Sequence, residues 1–467
     1  MIYNHSLIYL IAKGLPGIVN IIFVSVITKI IAPNDYGIYI TLISYIGIFN
    51  ILFFEWISSS LLRFYKEYEK DEFLATCMKM LIVSSLMSFL ISSLMYVAFF
   101  TDVYSIGFYL IFCFSLIAQG LFNFALTFYR AKLVPFKFLL INLSRSFLFF
   151  TLAIILIKIT ENGLIIGFGL SLLIPIVIPL KKFIFITYRY KFNRLYLKQI
   201  IVYGIPLLPA LVSSALLYHL DRIMISSFKG YDEVAVYAVA STFSQSIIVL
   251  FVGSISAASF PLILKALKNN NGEVERELKI NFTLTLATVL PLVTILVLYS
   301  HKLTSLLLSP VYSNQLLIIL PLFSIAAMLE TIRTNYFDIP FKLTNNVSKK
   351  IIPVVISLIF SISLNLYLIP KYGVLGAVIT AVLSYSLALI ISYLLGRKIM
   401  KLPIPFKELL FIFVSLIPLV FLTLIINPTE IFEIIFTLAS GIILYVLIFV
   451  LTSRSLFKTK GVFKNGK

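Results

Sequence analysis

The chain has 467 residues, 60% of them hydrophobic, a mean hydropathy of +1.06 and a formal net charge of +19. Soluble domains carry roughly 45–50% apolar residues, so polar side chains cannot cover this surface, and the excess Leu, Ile and Phe must face lipid. The charge does not indicate nucleic acid: the bases sit in short loops between apolar runs, and clustered bases alone are weak support for that partner.

Only helices and closed barrels satisfy their backbone groups inside a bilayer. The alternating pattern of barrel strands is missing from the sequence. The expectation is an all-α, polytopic transmembrane protein of about 14 helices, at 7–32, 37–63, 74–100, 103–129, 138–160, 163–181, 200–226, 234–264, 278–300, 312–338, 349–369, 373–396, 407–426 and 431–452. Three joins between close neighbours rest on turn signals at Asp102, Glu161-Asn162 and Asn427-Pro428.

In chain order, the run from Leu7 to Ile31 is too long for a signal-peptide core, carries Lys13 and is followed by no small-residue cleavage site. It reads as a retained first span, with Gly14-Leu15-Pro16 inside it. Span two opens on Asp35-Tyr36-Gly37-Ile38-Tyr39 and carries Glu55. Cys77 and Cys113 give no disulfide framework and read as free thiols. Span five holds Asn142 and Arg145. The longest join, 182–199, is basic and Tyr-rich and reads as an interfacial linker, an amphipathic helix on the inner leaflet being one form of it. Span seven carries Gly204-Ile205-Pro206 early and His219, Asp221 and Arg222 late; span eight opens on Glu233-Val234-Ala235-Val236-Tyr237. Span ten holds Glu330, Arg333 and Asp338.

Spans one and seven thus share Gly-apolar-Pro, and both are followed by acidic-any-small-apolar-Tyr. This suggests parallel repeats, a common transporter architecture, although Gly-apolar-Pro also arises by chance in membrane helices. Pro16 and Pro206 each remove a backbone bond and are expected to bend their helices. With both termini cytoplasmic, 28 of the 38 Lys and Arg fall in cytoplasmic segments and 5 on the opposite side, the bias expected of the inside. The expected organisation is an N-terminal lobe at 1–181, a linker at 182–199, a C-terminal lobe at 200–396, two peripheral spans at 397–452 and a basic tail at 453–467.

A charge within the bilayer costs roughly 2.5–3.5 kcal/mol on insertion scales and usually faces a cavity. The basic candidates are Lys13, Arg145, Arg222 and Arg333; the acidic ones are Glu55, Asp221, Glu330 and Asp338. Plainer readings stand beside these. Glu330 and Arg333 are spaced to neutralise each other as an i,i+3 pair. Asp221 and Arg222 near the outer end, and Lys13 and Arg145 within about two turns of the inner face, can also snorkel. His219 reads as a structural hydrogen-bonding residue. Basic groups in both halves suit a cavity that holds an anionic head group such as a pyrophosphate, whose oxygens Arg forks match. There is no phosphate-binding Gly-rich loop, metal-ligand cluster or Cys/His pair, so no cofactor, metal or enzymatic chemistry is expected, and active transport has to draw on a gradient.

Several segments carry a family resemblance. They are Lys29-Ile30-Ile31-Ala32-Pro33-Asn34-Asp35-Tyr36-Gly37-Ile38-Tyr39, Ser60-Leu61-Leu62-Arg63-Phe64-Tyr65, Tyr203-Gly204-Ile205-Pro206-Leu207-Leu208-Pro209 with Asp221-Arg222 and Val234-Ala235-Val236-Tyr237 after it, and Ile369-Pro370-Lys371-Tyr372-Gly373-Val374-Leu375-Gly376-Ala377. In this order they resemble the Wzx-type polysaccharide repeat-unit flippases, within the superfamily of multidrug, oligosaccharidyl-lipid and polysaccharide exporters. The resemblance implies two six-helix lobes around a central cavity plus two peripheral helices, in the inner membrane. It implies translocation of undecaprenyl-pyrophosphate-linked oligosaccharide units (O-antigen, capsule or a related exopolysaccharide) to the outer leaflet. It also implies membrane lipid, a proton or Na⁺ gradient, and the polymerase and chain-length proteins of the same pathway as partners. Ala235 stands where the family usually has Gly, which predicts a looser turn there. The alternatives are an integral-membrane polymerase or ligase, for which the outer loops are short and poor in charge, and a drug or cation exporter of the same superfamily.

The charge bias makes a topological prediction. Single cysteines placed in 182–199 are expected to react with an impermeant thiol reagent only after permeabilisation, and those in 301–311 in intact cells; the reverse pattern overturns the assignment.

Overall fold

The computed structural model describes residues 2–453 except 69, 100, 102–103, 269–272, 345–346 and 427–429, with the side chains of all of these but 2–13, 257, 268, 313–314, 347–348 and 431. Among the described residues there is no strand. The apolar runs form helices α1 (Ile2–Ile27), α2 (Pro33–Tyr68), α3 (Asp71–Phe99), α4 (Ile106–Ala131), α5 (Pro135–Ile157), α6 (Gly163–Arg189), α7 (Arg194–Lys229), α8 (Tyr231–Leu267), α9 (Glu273–Leu298), α10 (Gln315–Leu343), α11 (Ile351–Tyr372), α12 (Val374–Gly396), α13 (Phe406–Ile426) and α14 (Phe432–Thr452). Thirteen of them, α2 to α14, are long and apolar enough to cross a membrane. The protein is a multi-pass helical membrane protein, and the part of α1 whose side chains are described, Gly14–Ile27, is apolar as well.

The helices run past the expected span ends because their charged flanks stay helical. The join at Glu161-Asn162 is a turn, closed by the Gly163 amide donating to the Thr160 carbonyl at 3.0 Å. The joins at Asp102 and Asn427-Pro428 lie outside the described residues. Between α6 and α7 only 190–193 is non-helical. There the Asn193 side chain accepts from the Leu195 amide at 2.9 Å and caps α7, satisfying one of the four donors a helix start leaves open.

The chain divides into two compact units. One comprises Met1–Ala238 and Leu358–Ala377; the other comprises Val239–Ser357 and Val378–Lys467. In the first unit two hairpins are built alike. A Cβ on Gly163 would lie 2.4 Å from the Leu156 carbonyl oxygen, and one on Gly376 would lie 2.4 Å from that of Leu368. Each glycine lets its helix press on the backbone of the helix before it. The likeness of the α5–α6 and α11–α12 hairpins adds to the repeat suggested by Gly14-Leu15-Pro16 and Gly204-Ile205-Pro206.

The turn between α7 and α8, at Gly230 (φ +91°), gathers the rest of this unit. The Tyr231 carbonyl lies so near Gly37 of α2 that a Cβ there would be 1.8 Å from its oxygen. The Tyr231 and Tyr104 hydroxyls share a hydrogen bond. Glu233 accepts from the Val374 amide at 2.7 Å, capping α12 just after Gly373 (φ +58°). Ala235 is fully buried in the body of α8. The looser turn expected from Ala235 is therefore corrected: that position is not in a turn.

In the second unit Phe282 stacks on Tyr336 with centroids 4.1 Å apart, beside Phe337, Leu402 and Ile412. Lys279 of α9 pairs with Glu408 of α13 at 2.7 Å, and the Tyr445 hydroxyl of α14 donates to the Ala287 carbonyl at 2.6 Å. Helices α13 and α14 are thus fastened to the second unit through α9.

Gly37→Ala forces a clash with main chain, and overpacking of this kind costs typically about 1–3 kcal/mol. Its thermal midpoint in detergent is expected to fall by several degrees. Gly253→Ala, in a helix position with open space around it, is expected to match or exceed the parent.

Candidate functional site

Five of the eight candidate charges lie in the first unit, four of them with described side chains. Asp221, near the end of α7, is 3% exposed. It does not snorkel: it accepts from the Tyr237 hydroxyl and from the Asn365 amide, each at 2.7 Å. The Gly230 turn brings Tyr237 back alongside Asp221, and α11 supplies Asn365. The amide also reaches Ser361 Oγ at 3.4 Å, while its own Oδ1 is enclosed with no hydrogen-bond partner among the described residues. Arg222, 7% exposed, holds its guanidinium 5.1 Å from the Tyr218 ring centre.

Arg145 stands ten residues beyond the start of α5, about 15 Å along the helix. Its guanidinium lies 5.4 Å from the Phe122 ring and 5.6 Å from the Phe168 ring. Among the described residues it makes no ion pair or hydrogen bond, and its Nε is enclosed. Ring faces are the negative poles that offset the charge. Two tyrosines of the α2 motif continue the cluster. Tyr36 and Tyr39 stack at 6.1 Å, and Tyr39 meets Phe149 at 5.9 Å and Phe168 at 6.4 Å. Arg222 is within electrostatic reach of Tyr36, and Arg145 of Tyr39. Both arginines therefore act on one tyrosine pair.

Glu55 closes a π-helical turn in α2, Ile51–Glu55. Within it the Phe53 carbonyl accepts from Trp56 Nε1 at 3.0 Å and from the Ser84 hydroxyl. Such turns are frequent at functional sites. His219 departs from the expected hydrogen-bonding role. It packs against Gly47 and edge-on to Tyr218, and its Nδ1 is enclosed without a partner among the described residues.

The other three lie in the second unit, around a second π-helical turn, Arg333–Phe337. Arg333 donates from Nε and Nη2 to Glu330 at 2.9 and 2.7 Å, and from Nη1 to Asp338 at 3.1 Å. Asp338 is fully buried, accepts from Ser392 at 2.9 Å and has Lys350 at 3.9 Å. The fork of Arg333 is filled by acids of its own span. Lys13 lies in α1, and its side chain is outside the described residues. Asn365, Tyr237, Ser392 and Lys350 had not been singled out as partners. The available signal was polarity inside apolar spans, above all an amide at 365. Among the described residues no group of three or more His, Cys, Asp or Glu is placed to hold a metal.

The sequence profile of the family described as "Polysaccharide biosynthesis protein" matches residues 26–317. The chain belongs to that family. An uncharacterised membrane protein of Methanocaldococcus jannaschii is 26% identical over 237 residues, a match that spans 50% of this chain and 46% of that protein, about half its length. Among solved structures, the lipid II flippase MurJ in an inward closed conformation superposes with a TM-score of 0.73 at 17% identity, covering 98% of this chain and 100% of that one. A MATE-family multidrug resistance transporter of the MOP superfamily, inward-facing, gives 0.55 at 17% identity over 85% of this chain and 93% of its own. A MOP superfamily transporter from Pyrococcus furiosus gives 0.54 at 15% identity over 85% and 94%. The chain shares the fold of these transporters.

Removing one partner from a buried ion pair leaves an uncompensated charge and costs about 3–5 kcal/mol. Arg333→Ala is therefore expected to depress folded yield and thermal midpoint strongly. Ser392→Ala, which removes one hydrogen bond to the carboxylate, is expected to cost about 1.5–3 kcal/mol. Thermal unfolding in detergent ranks them; equal midpoints for parent and Arg333→Ala contradict the buried pair.

Proposed function

We propose that the protein is a flippase that moves undecaprenyl-pyrophosphate-linked oligosaccharide units from the inner to the outer leaflet of the cytoplasmic membrane by alternating access. The observation that carries this reading is coverage. The lipid II flippase matches nearly the whole chain, whereas the drug transporters match 85%, a shortfall about as long as the chain beyond α12. A fold with α13 and α14 in place, in a polysaccharide-biosynthesis family, favours a lipid-linked sugar over a small drug.

In this reading Lys13, Arg145 and Arg222 offer positive charge to the pyrophosphate, and Arg333 keeps its own unit folded. Arg145 supports the role best, since rings hold its charge and no acid competes for it. Asp221, with Tyr237 and Asn365 around it, is the foremost acid for coupling to a proton or Na⁺ gradient, with Glu55 next; Glu330 and Asp338 serve Arg333. The units are those of O-antigen, capsule or a related exopolysaccharide, delivered to the polymerase and chain-length proteins of the pathway.

The test is export in cells depleted of their own flippase, read as lipid-linked units retained on the inner leaflet. Arg145→Ala and Asp221→Asn are each expected to lower export at least tenfold at unchanged membrane abundance. Wild-type export by both variants removes the site assignment. Resistance to cationic drugs with no effect on lipid-linked units replaces the flippase with the drug-exporter reading.

A further inference from the structure

We propose that the joint between α6 and α7 is a preformed binding surface for anionic phospholipid headgroups. From Asn162 to Leu220 the chain contains no acidic residue. Within that stretch Lys181, Lys182, Arg189, Lys191, Arg194 and Lys198 crowd the joint, and all six are exposed. Among the described residues none of them makes an ion pair. Asp71 and Glu72 open the neighbouring α3, yet neither comes within ion-pair distance of the six.

Large apolar and aromatic side chains are interleaved with the bases: Tyr188 is 89% exposed, Leu195 74% and Phe185 61%. Positive charge alone would satisfy topology; exposed rings between the charges are not required for it. Rings of this kind settle at the boundary between acyl chains and headgroups, with Lys and Arg reaching the phosphates.

The surface is held in place from behind. Phe183, Ile186, Tyr196 and Ile200 are buried beneath it. Lys79 donates to the Tyr190 carbonyl at 2.7 Å, and Gln199 donates to the Tyr68 hydroxyl at 2.5 Å. No segment has to fold on contact, so the attraction is not spent on ordering the chain.

Charge complementarity selects the occupant. The six bases are strung along two helix ends instead of converging on one point. That arrangement suits several monophosphate headgroups side by side and not a single diphosphate. Each base near an anionic surface is worth about fivefold in partitioning.

The probe is phosphatidylglycerol, compared with phosphatidylcholine. Trp56 is the single tryptophan, so the full chain with Trp56→Phe and Tyr188→Trp carries one reporter on this surface. In nanodiscs, brominated phosphatidylglycerol is expected to quench it at least twice as strongly as brominated phosphatidylcholine at equal mole fraction. The excess should disappear when all six bases are changed to Gln, and shrink with added salt. Equal quenching by the two lipids overturns the proposal. So does stronger quenching by a brominated polyprenyl pyrophosphate with none in excess from brominated phosphatidylglycerol, which gives the surface to the carrier lipid. A second measurement needs no reporter: native mass spectrometry of the unmodified chain from mixed micelles is expected to retain at least twice as many phosphatidylglycerol molecules as the six-Gln variant, and equal retention also overturns it. Neither readout involves translocation, so a negative result leaves the flippase reading standing, and the surface can exist whatever the chain carries.

Discussion

Inside a bilayer an ionised side chain or a freed backbone group finds its partner within the protein or costs several kcal/mol. Much of this fold follows from that constraint. Asp338 draws Arg333 from its own span, Ser392 from α12 and Lys350 from the turn just before α11. Asp221 draws Tyr237 and Asn365 from two different helices. The backbone obeys the same rule where α2 takes an extra residue, since Ser84 and Trp56 answer the Phe53 carbonyl. Each of these polar knots joins helices that apolar packing alone could let slide, because lipid is as good a neighbour for Leu as another helix is.

Arg145 meets the constraint differently. It is offset by the faces of Phe122 and Phe168, with no carboxylate in hydrogen-bonding range among the described residues. A guanidinium locked to acids, as Arg333 is, has no donors to spare. One resting on rings keeps its donors. Two arginines, on α5 and α10, thus differ by partner type, a distinction that counting charges in a sequence does not make.

The spans were legible because twenty-residue apolar runs have few other uses. Helix ends were not, since basic flanks such as Arg194–Lys198 continue the helix beyond the apolar run. The Glu330–Arg333 pair could be read from spacing alone, being local. The bond from Ser392 to Asp338, across 54 positions, and that from Asn365 to Asp221, across 144, could not. The ring partners of Arg145 could not be read either, since nothing local announces Phe122 on α4 and Phe168 on α6. The π-helical turns have no residue signature, so Glu55 was noticed for its charge and not for the bend that carries it.

The first compact unit is not continuous in sequence, since Leu358–Ala377 completes it. This has a consequence for biogenesis. Asp221 reaches the membrane 144 residues before the Asn365 amide that bonds it. At about 5–20 residues per second, the ribosome needs on the order of ten seconds to supply that donor. Through this interval α7 is a helix with an unfinished polar centre, and Glu233 waits similarly for the Val374 amide. The nascent chain therefore passes through an obligatory half-built stage in which water, lipid or the insertion machinery stands in for residues not yet made. The first unit cannot be completed before its last twenty residues, Leu358–Ala377, have been made.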